Sequence, residues 1–250
     1  MNNKDQTDII YGRNPVIEAL SAGRAIDRIY IQDRLNHPSI GKIRNMAKER
    51  GIRYDFVDLR KLDSMSGKAN HQGVIAAAAA HEYATVEDIL QKAESRGEPP
   101  LVVICDGITD PHNLGSIIRT ANAAGAHGVI IPKNRSVSLT STVAKVSAGA
   151  VEYTLVAKVA NISTTIDKLK KRGLWIAGTD LSAEQSIYDS DMSGALGIVI
   201  GSEGEGMSRI VRENCDFLVK IPMLGETESL NASVAAGVLL YEAARRRIKG

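Results

Sequence analysis

The chain has 250 residues, 44% hydrophobic and 24% charged, usage that fits a globular protein of one large or two modest domains. No run of ~18 apolar residues is present, which excludes an ordinary membrane-spanning helix. The polar start, Met1 to Asp8, lacks a signal-peptide core. Net charge is +2, too small to demand a polyanionic partner. Cys105 and Cys215 stand outside any metal or redox spacing and read as buried thiols of a reducing cytoplasm, with no metal site expected.

The charge is unevenly spread. Residues 1–82 carry 13 Lys+Arg against 10 Asp+Glu, and the remainder 18 against 19. Any attraction for nucleic acid therefore leans towards the N-terminal part, although solvated surface charge accounts for the same numbers.

Periodicity makes residues 1–82 a small α/β unit. It predicts helices over 14–22 and 39–50, the second closed by Gly51, and strands over 28–32 and 53–57. The apolar run 74–80 ends in five alanines. Helix propensity favours a helix there, but its bounds, Gly73 and His81-Glu82-Tyr83, argue for a strand. Residues 83–98 read as a charged linker with a helix over 86–93, and Gly97-Glu98-Pro99-Pro100 marks a boundary.

Residues 99–250 alternate regularly. Strands are expected over 101–105, 128–131, 153–156, 174–177, 196–200 and 217–221. Helices are expected over 114–124, 141–147, 162–171, 207–213 and 230–247. Such alternation implies an α/β domain with a parallel sheet covered on both faces, and ligands at the carboxyl ends of the strands. The unusual loops, 106–113, 178–189, 201–206 and 222–229, lie at those ends.

Three segments carry chemistry. In Asp110-Pro-His-Asn113-Leu-Gly-Ser-Ile-Ile-Arg119, Asn113 reads as a helix N-cap, and Arg119 lies away from most of the apolar stripe. In Gly201-Ser-Glu203-Gly204-Glu-Gly206, three glycines after a buried strand allow close approach to a ligand or form a tight turn. Their order differs from dinucleotide and P-loop fingerprints, and Glu203 and Glu205 disfavour a bare phosphate. In the third, Ile221-Pro-Met223 exits a strand into a polar loop holding Glu226, Glu228, Ser229 and Asn231. Ser229 is placed to cap the last helix, with Asn231 just inside it. From Ala232 to Leu240 that helix is small or apolar on every side except Ser233, as expected of one that is buried or in a subunit interface.

Together these segments closely resemble the three motifs of the SpoU (TrmH-type) knotted methyltransferases, carried by N-L-G-S-I-I-R, I-V-I-G-S-E-G-E-G-M, and I-P-M with S-L-N. The segment Ile10 to Leu20 and His71-Gln-Gly73 are similar to the RNA-binding domain many members carry in front. The likeness is closest to bacterial 23S ribosomal RNA guanosine 2′-O-methyltransferases.

The resemblance implies a knotted α/β catalytic domain over 99–250, S-adenosylmethionine as cofactor, RNA as partner and a homodimer. It places the cofactor on backbone groups of Gly201, Ile221 and Leu230, with Gly178, Thr179 and Met223 lining the cleft. It makes Arg119 the proton acceptor for the ribose hydroxyl. Arginine is effectively always protonated, so an electrostatic clamp on phosphate and alkoxide is an equally physical role. Asn113, Glu203, Ser229 and Asn231 would orient Arg119 and the ribose. The rivals are a transfer-RNA methyltransferase, which shares the chemistry, and a non-catalytic RNA-binding protein of the same fold. A nicotinamide dehydrogenase has the wrong glycine order.

Overall fold

The computed structural model describes residues 9–67, 69–78 and 81–249. They form two compact units. One runs to Glu82 and includes Ser138–Ser141; the other comprises the rest from Tyr83.

The first unit contains β1 (Ile9–Tyr11), α1 (Arg13–Ser21), β2 (Ile26–Gln32), α2 (Pro38–Glu49), β3 (Arg53–Val57), α3 (Leu59–Ser66) and β4 (Val74–Ala78). The sheet order is β1-β4-β2-β3, with β2 and β3 parallel and β4 antiparallel to both of its neighbours. The alanine run is a strand as far as Ala78; Ala79 and Ala80 lie outside the described residues. Pairing on both edges overrides alanine's helix propensity. The small Ala76 shares a buried core with Val16 and Leu20 of α1 and Ile40 and Ile43 of α2. Two elements were not expected. The three-residue β1 is too short for a pattern to show. In α3, Leu62 and Met65 are the only apolar residues behind Leu59, so its period is weak.

The second unit begins with α4 (Val86–Ser95), whose start is a capping box: the Thr85 hydroxyl accepts from Asp88 N, and the Asp88 carboxylate accepts from Thr85 N. The segment expected as a linker thus holds a helix whose Ile89, Leu90 and Ala93 are buried; the first two join this unit's core. There follow β5 (Leu101–Asp106), α5 (Pro111–Ala123), β6 (Gly128–Pro132), α6 (Ser141–Val146), β7 (Leu155–Val159), α7 (Ile162–Lys171), β8 (Trp175–Thr179), β9 (Leu196–Gly201), α8 (Arg209–Glu213), β10 (Phe217–Val219) and α9 (Ala232–Lys249). A 3-10 turn, Ala150–Glu152, sits before β7 and delays that strand to Leu155; Tyr153, expected inside it, is 74% exposed.

Every pairing in the six-stranded sheet is parallel, in the order β10-β8-β9-β5-β6-β7. Strand β6 and the first five residues of β5 and β9 are wholly buried, as a sheet covered on both faces requires. From β5 the chain winds outward through β6 and β7, then crosses to β8 and returns to β9 beside β5. The β5–β9 junction is therefore the topological switch point, where an open α/β sheet presents its crevice. Among the described residues no helix is long and apolar enough to cross a membrane.

Helix α9 is tied at both ends. Near its C-terminus Arg247 donates to the carbonyls of Pro99 (2.7 Å), Pro100 (2.9 Å) and Gly194. Glu242, 6% exposed, accepts from Arg245 (2.8 and 2.7 Å) and Arg246 (2.9 Å). The Arg245 hydrogen bonds hold its carboxyl below the usual range, against the opposing effect of burial and with help from Arg246. A carboxyl depressed in the folded state stabilises fully above its unfolded value, about 4.5, and loses that contribution as pH falls through its folded value. Glu242→Gln is expected to cost about 1–2 kcal/mol at neutral pH, a figure discounted because both arginines are partly exposed. Urea denaturation at stepped pH should show that deficit shrinking below about pH 4.

Candidate active site at the sheet switch point

The loops at the switch point are built by local constraints. After β9 the chain makes a small hairpin in which Ser202 and Gly206 exchange backbone hydrogen bonds, each 3.0 Å. Gly204 and Gly206 supply positive φ, +86° and +67°. A Cβ on Gly201 would lie 2.3 Å from the backbone carbon of Gly206 and 2.4 Å from Met207 N. The glycine is thus required by the chain's own turn, the second of the two readings its motif allowed. Asp106, ending β5, accepts from Ser208 N at 2.7 Å and fixes the hairpin's exit.

The hairpin carries Glu203 to the ends of α5 and α9. Its Oε1 accepts from Asn113 Nδ2 (3.2 Å), from Asn231 Nδ2 and from Ala232 N (3.2 Å). Asn231 Nδ2 also donates to Asn113 Oδ1 at 2.9 Å, which closes a ring of three side chains. Asn231 Oδ1 faces the other way and accepts from Ser233 N (2.9 Å) and Val234 N (3.3 Å).

Two expectations are corrected here. Asp110, not Asn113, caps α5, accepting from His112 N at 3.1 Å; Asn113 lies inside the first turn, 7% exposed. Asn231, not Ser229, caps α9, and Ser229 is exposed with no hydrogen bond of its own among the described residues. The roles of Asp110 and of Ala232 N were missed. Pro111, at the first helical position, is the local signal that favours Asp110 over Asn113 as the cap; a backbone donor leaves no residue signature.

Arg119 is not part of the ring. It stands exposed on α5, six residues or about 9 Å along the axis from Asn113. Among the described residues it has neither a carboxylate partner nor a hydrogen bond.

The remaining candidates divide into packed and open groups. Gly178 is buried, and a Cβ there would meet Cys215 Sγ at 2.7 Å and Leu218 Cδ2 at 2.8 Å, so its small size serves packing. The Thr179 hydroxyl donates to Val199 O at 3.0 Å. By contrast, Ile221, Met223 and Leu230 are half-buried, and their backbone groups make no hydrogen bond among the described residues. The loop's main-chain donors and acceptors at these positions are therefore open to water or to another partner. Alongside it, the β8–β9 loop is bonded to the β10 exit through Ile187 N to Lys220 O and Lys220 N to Gln185 O, each 3.0 Å.

The cysteines are unsuited to nucleophilic work. Burial, with Asp106 adding to it, pushes the Cys105 thiol up to about 12, and burial with Asp216 does the same at Cys215. Among the described residues no cluster of three or more His, Cys, Asp or Glu could hold a metal.

A parallel sheet with polar loops gathered at its switch point defines the class of open α/β proteins that bind ligands at the carboxyl ends of their strands. The SpoU rRNA Methylase family matches residues 100–241, and a family described as RNA 2′-O ribose methyltransferase substrate binding matches residues 9–84. The chain belongs to the SpoU (TrmH) family of RNA methyltransferases and has its knotted α/β fold.

It is 48% identical over 242 residues to a putative TrmH family tRNA/rRNA methyltransferase, YacO, of Bacillus subtilis, covering 97% of each chain. It is 49% identical over 239 residues to one from Staphylococcus epidermidis, covering 96% of each. Among solved structures, the SpoU methyltransferase AviRb of Streptomyces viridochromogenes, in complex with AdoMet, superposes with a TM-score of 0.62. That pair is 26% identical, covering 97% of this chain and 91% of that one. An AdoMet-bound rRNA methyltransferase of Sinorhizobium meliloti gives 0.59 at 26% identity, covering 95% and 86%.

Asn231→Ala removes the α9 cap and leaves the buried Asn113 amide oxygen unpaired. The expected loss is about 2 kcal/mol, read as a lowered urea midpoint with unchanged slope.

Proposed function

We propose that the protein methylates a ribose 2′-hydroxyl of RNA from S-adenosylmethionine, its target a guanosine of 23S ribosomal RNA. The observation that carries the reading is the Asn113–Glu203–Asn231 ring at the switch point, beside a loop with free backbone groups. The AdoMet bound to two structural neighbours supports the cofactor. The ribosomal substrate draws on the family description, and guanosine on the motif resemblance.

The residues fit the cofactor. Backbone groups of Ile221, Met223 and Leu230 hold it, Gly201 shapes the adjoining hairpin, and Gly178 and Thr179 form the wall. When bound, S-adenosylmethionine supplies an electrophilic sulfonium methyl. The ring fixes the spacing of α5 and α9, and so of everything they carry. Ser229, exposed and without a hydrogen bond among the described residues, is placed to hydrogen-bond the ribose. Arg119 is an exposed cation without a carboxylate partner among the described residues. Arginine side chains are poor bases in general, which favours holding the neighbouring phosphate and stabilising the developing alkoxide. Residues 1–82 serve as the RNA-binding domain, 83–98 as the connection and 99–250 as the catalytic domain, working in the cytoplasm.

A homodimer completes this reading. Val234, Tyr241 and Ile248 recur every seven residues on α9 and are 51%, 55% and 85% exposed. An apolar stripe of that kind on an otherwise packed helix marks an interface. A second copy seated there would cover the stripe. Tyr241→Arg should convert a dimer into monomers in sedimentation velocity and reduce methyl transfer at least tenfold.

The direct test is transfer of labelled methyl to 23S ribosomal RNA and to transfer RNA, with mapping of the modified ribose. Arg119→Ala should lower kcat by about 10²–10³ with cofactor affinity retained. No transfer to either RNA by the folded wild type would sink the proposal and favour a non-catalytic RNA-binding role.

A further inference from the structure

The first unit holds a cluster that its own packing does not require. The chain contains two phenylalanines, and one, Phe56, is 49% exposed on edge strand β3. In the β2–β3 register Phe56 lies opposite Ile31 and Tyr54 opposite Ile29, both isoleucines fully buried in the core beneath α1 and α2. The two rings thus form the rim of that core. Tyr54 packs against it, and Phe56 continues outward as apolar surface. They meet edge to face, 6.0 Å apart at 87°.

The Arg44 guanidinium of α2 stands 5.8 Å from the Tyr54 centroid and 5.7 Å from that of Phe56. Among the described residues Arg44 pairs with no carboxylate. On the opposite face of the same strand, Asp55 serves both Arg28 (3.3 Å) and Arg53 (3.1 Å). The aromatic face therefore carries a cation with no carboxylate partner among the described residues, while the two arginines of the other face share one carboxylate. An accessible ring beside a guanidinium plane is the pairing that recognises an unstacked nucleobase and its phosphate. The basic excess of residues 1–82 points to the same anionic occupant.

We propose that Arg44, Tyr54 and Phe56 form a stacking site for one unpaired base of the substrate RNA, Arg44 meeting the adjacent phosphate. The inference rests on the RNA reading above and adds to it the kind of RNA read. The site needs a loop, bulge or single strand, because a base within an A-form duplex offers no free face.

The experiment is equilibrium binding of the full-length protein to transcribed 23S ribosomal RNA over a range of salt, with cofactor binding measured on each variant as a check of folding. Phe56→Ala and Phe56→Leu should both weaken binding roughly 5- to 100-fold, and Phe56→Trp should retain it. Leucine keeps the apolar volume without a planar face, so the pair separates stacking from packing. Arg44→Gln should reduce the slope of log affinity against log salt by about 0.7, whereas Phe56→Leu should leave the slope unchanged.

Wild-type affinity in Phe56→Leu would overturn the stacking site while leaving the methyltransferase reading intact. A change of oligomeric state in Phe56→Ala with RNA affinity preserved would make the surface a protein contact and also overturn it. Failure of the wild type to bind or methylate RNA would bring down both readings together.

Discussion

One carboxylate oxygen holds three distant parts of the second unit together. Glu203 Oε1 receives donors from the first turn of α5 and from the cap and first residue of α9, which lie 90, 28 and 29 residues away in sequence. A charged acceptor makes the stronger class of hydrogen bond, and this one also answers an orphan N–H at a helix start, where the dipole favours negative charge. The arrangement is cooperative by construction. Asn113 and Asn231 each satisfy the other and the carboxylate, so removing any member strands two partners. The structural elements next to the proposed chemistry are thus positioned by polar contacts whose geometry is directional, while the apolar core beneath supplies most of the stability.

The glycines serve the same end by a steric route. Gly201 admits the returning backbone of Gly206, and the positive φ at Gly204 and Gly206 closes the hairpin within five residues. This short arm aims a side chain with little freedom to wander, at the junction where the sheet reverses its winding. Glycine-rich loops are often read as cradles for phosphate. Here two carboxylates occupy the tip, and the free main-chain groups lie instead in the loop after β10. The division of labour is between a rigid hairpin that positions and an open loop that can bind.

Much of this was legible in the sequence. The alternation after residue 100 implied the parallel sheet, and helix 162–171 and strand 53–57 fall at the expected residues because each has strong periodicity between clear stops. Asn231 stood out as a polar residue at the start of an apolar helix, and Asn113 and Glu203 were singled out by the motif resemblance. Their partnership was not legible, since pairing across 90 and 118 residues leaves no local trace. The capping roles were exchanged for a different reason: each loop offered two acceptable cap residues a few positions apart, and the cue that favours Asp110 is the proline after it. The final helix looked apolar all round, and the structure divides it into a face packed on α5, with Ala236, Leu239 and Leu240 buried, and an exposed stripe.

The Arg247 anchor has a consequence in time. Its guanidinium caps carbonyls at the start of β5, 148 and 147 residues earlier in the chain. Strand β5 itself is paired with β9, some 95 residues later, on the edge that forms the switch point. Contacts of such long sequence separation carry the full entropy of loop closure before they return any stabilisation. The middle of the sheet can therefore be completed only after most of this unit has left the ribosome. During that wait the apolar strand β5 has its β9-facing edge open, which makes synthesis the stage at which this fold is most exposed to aggregation.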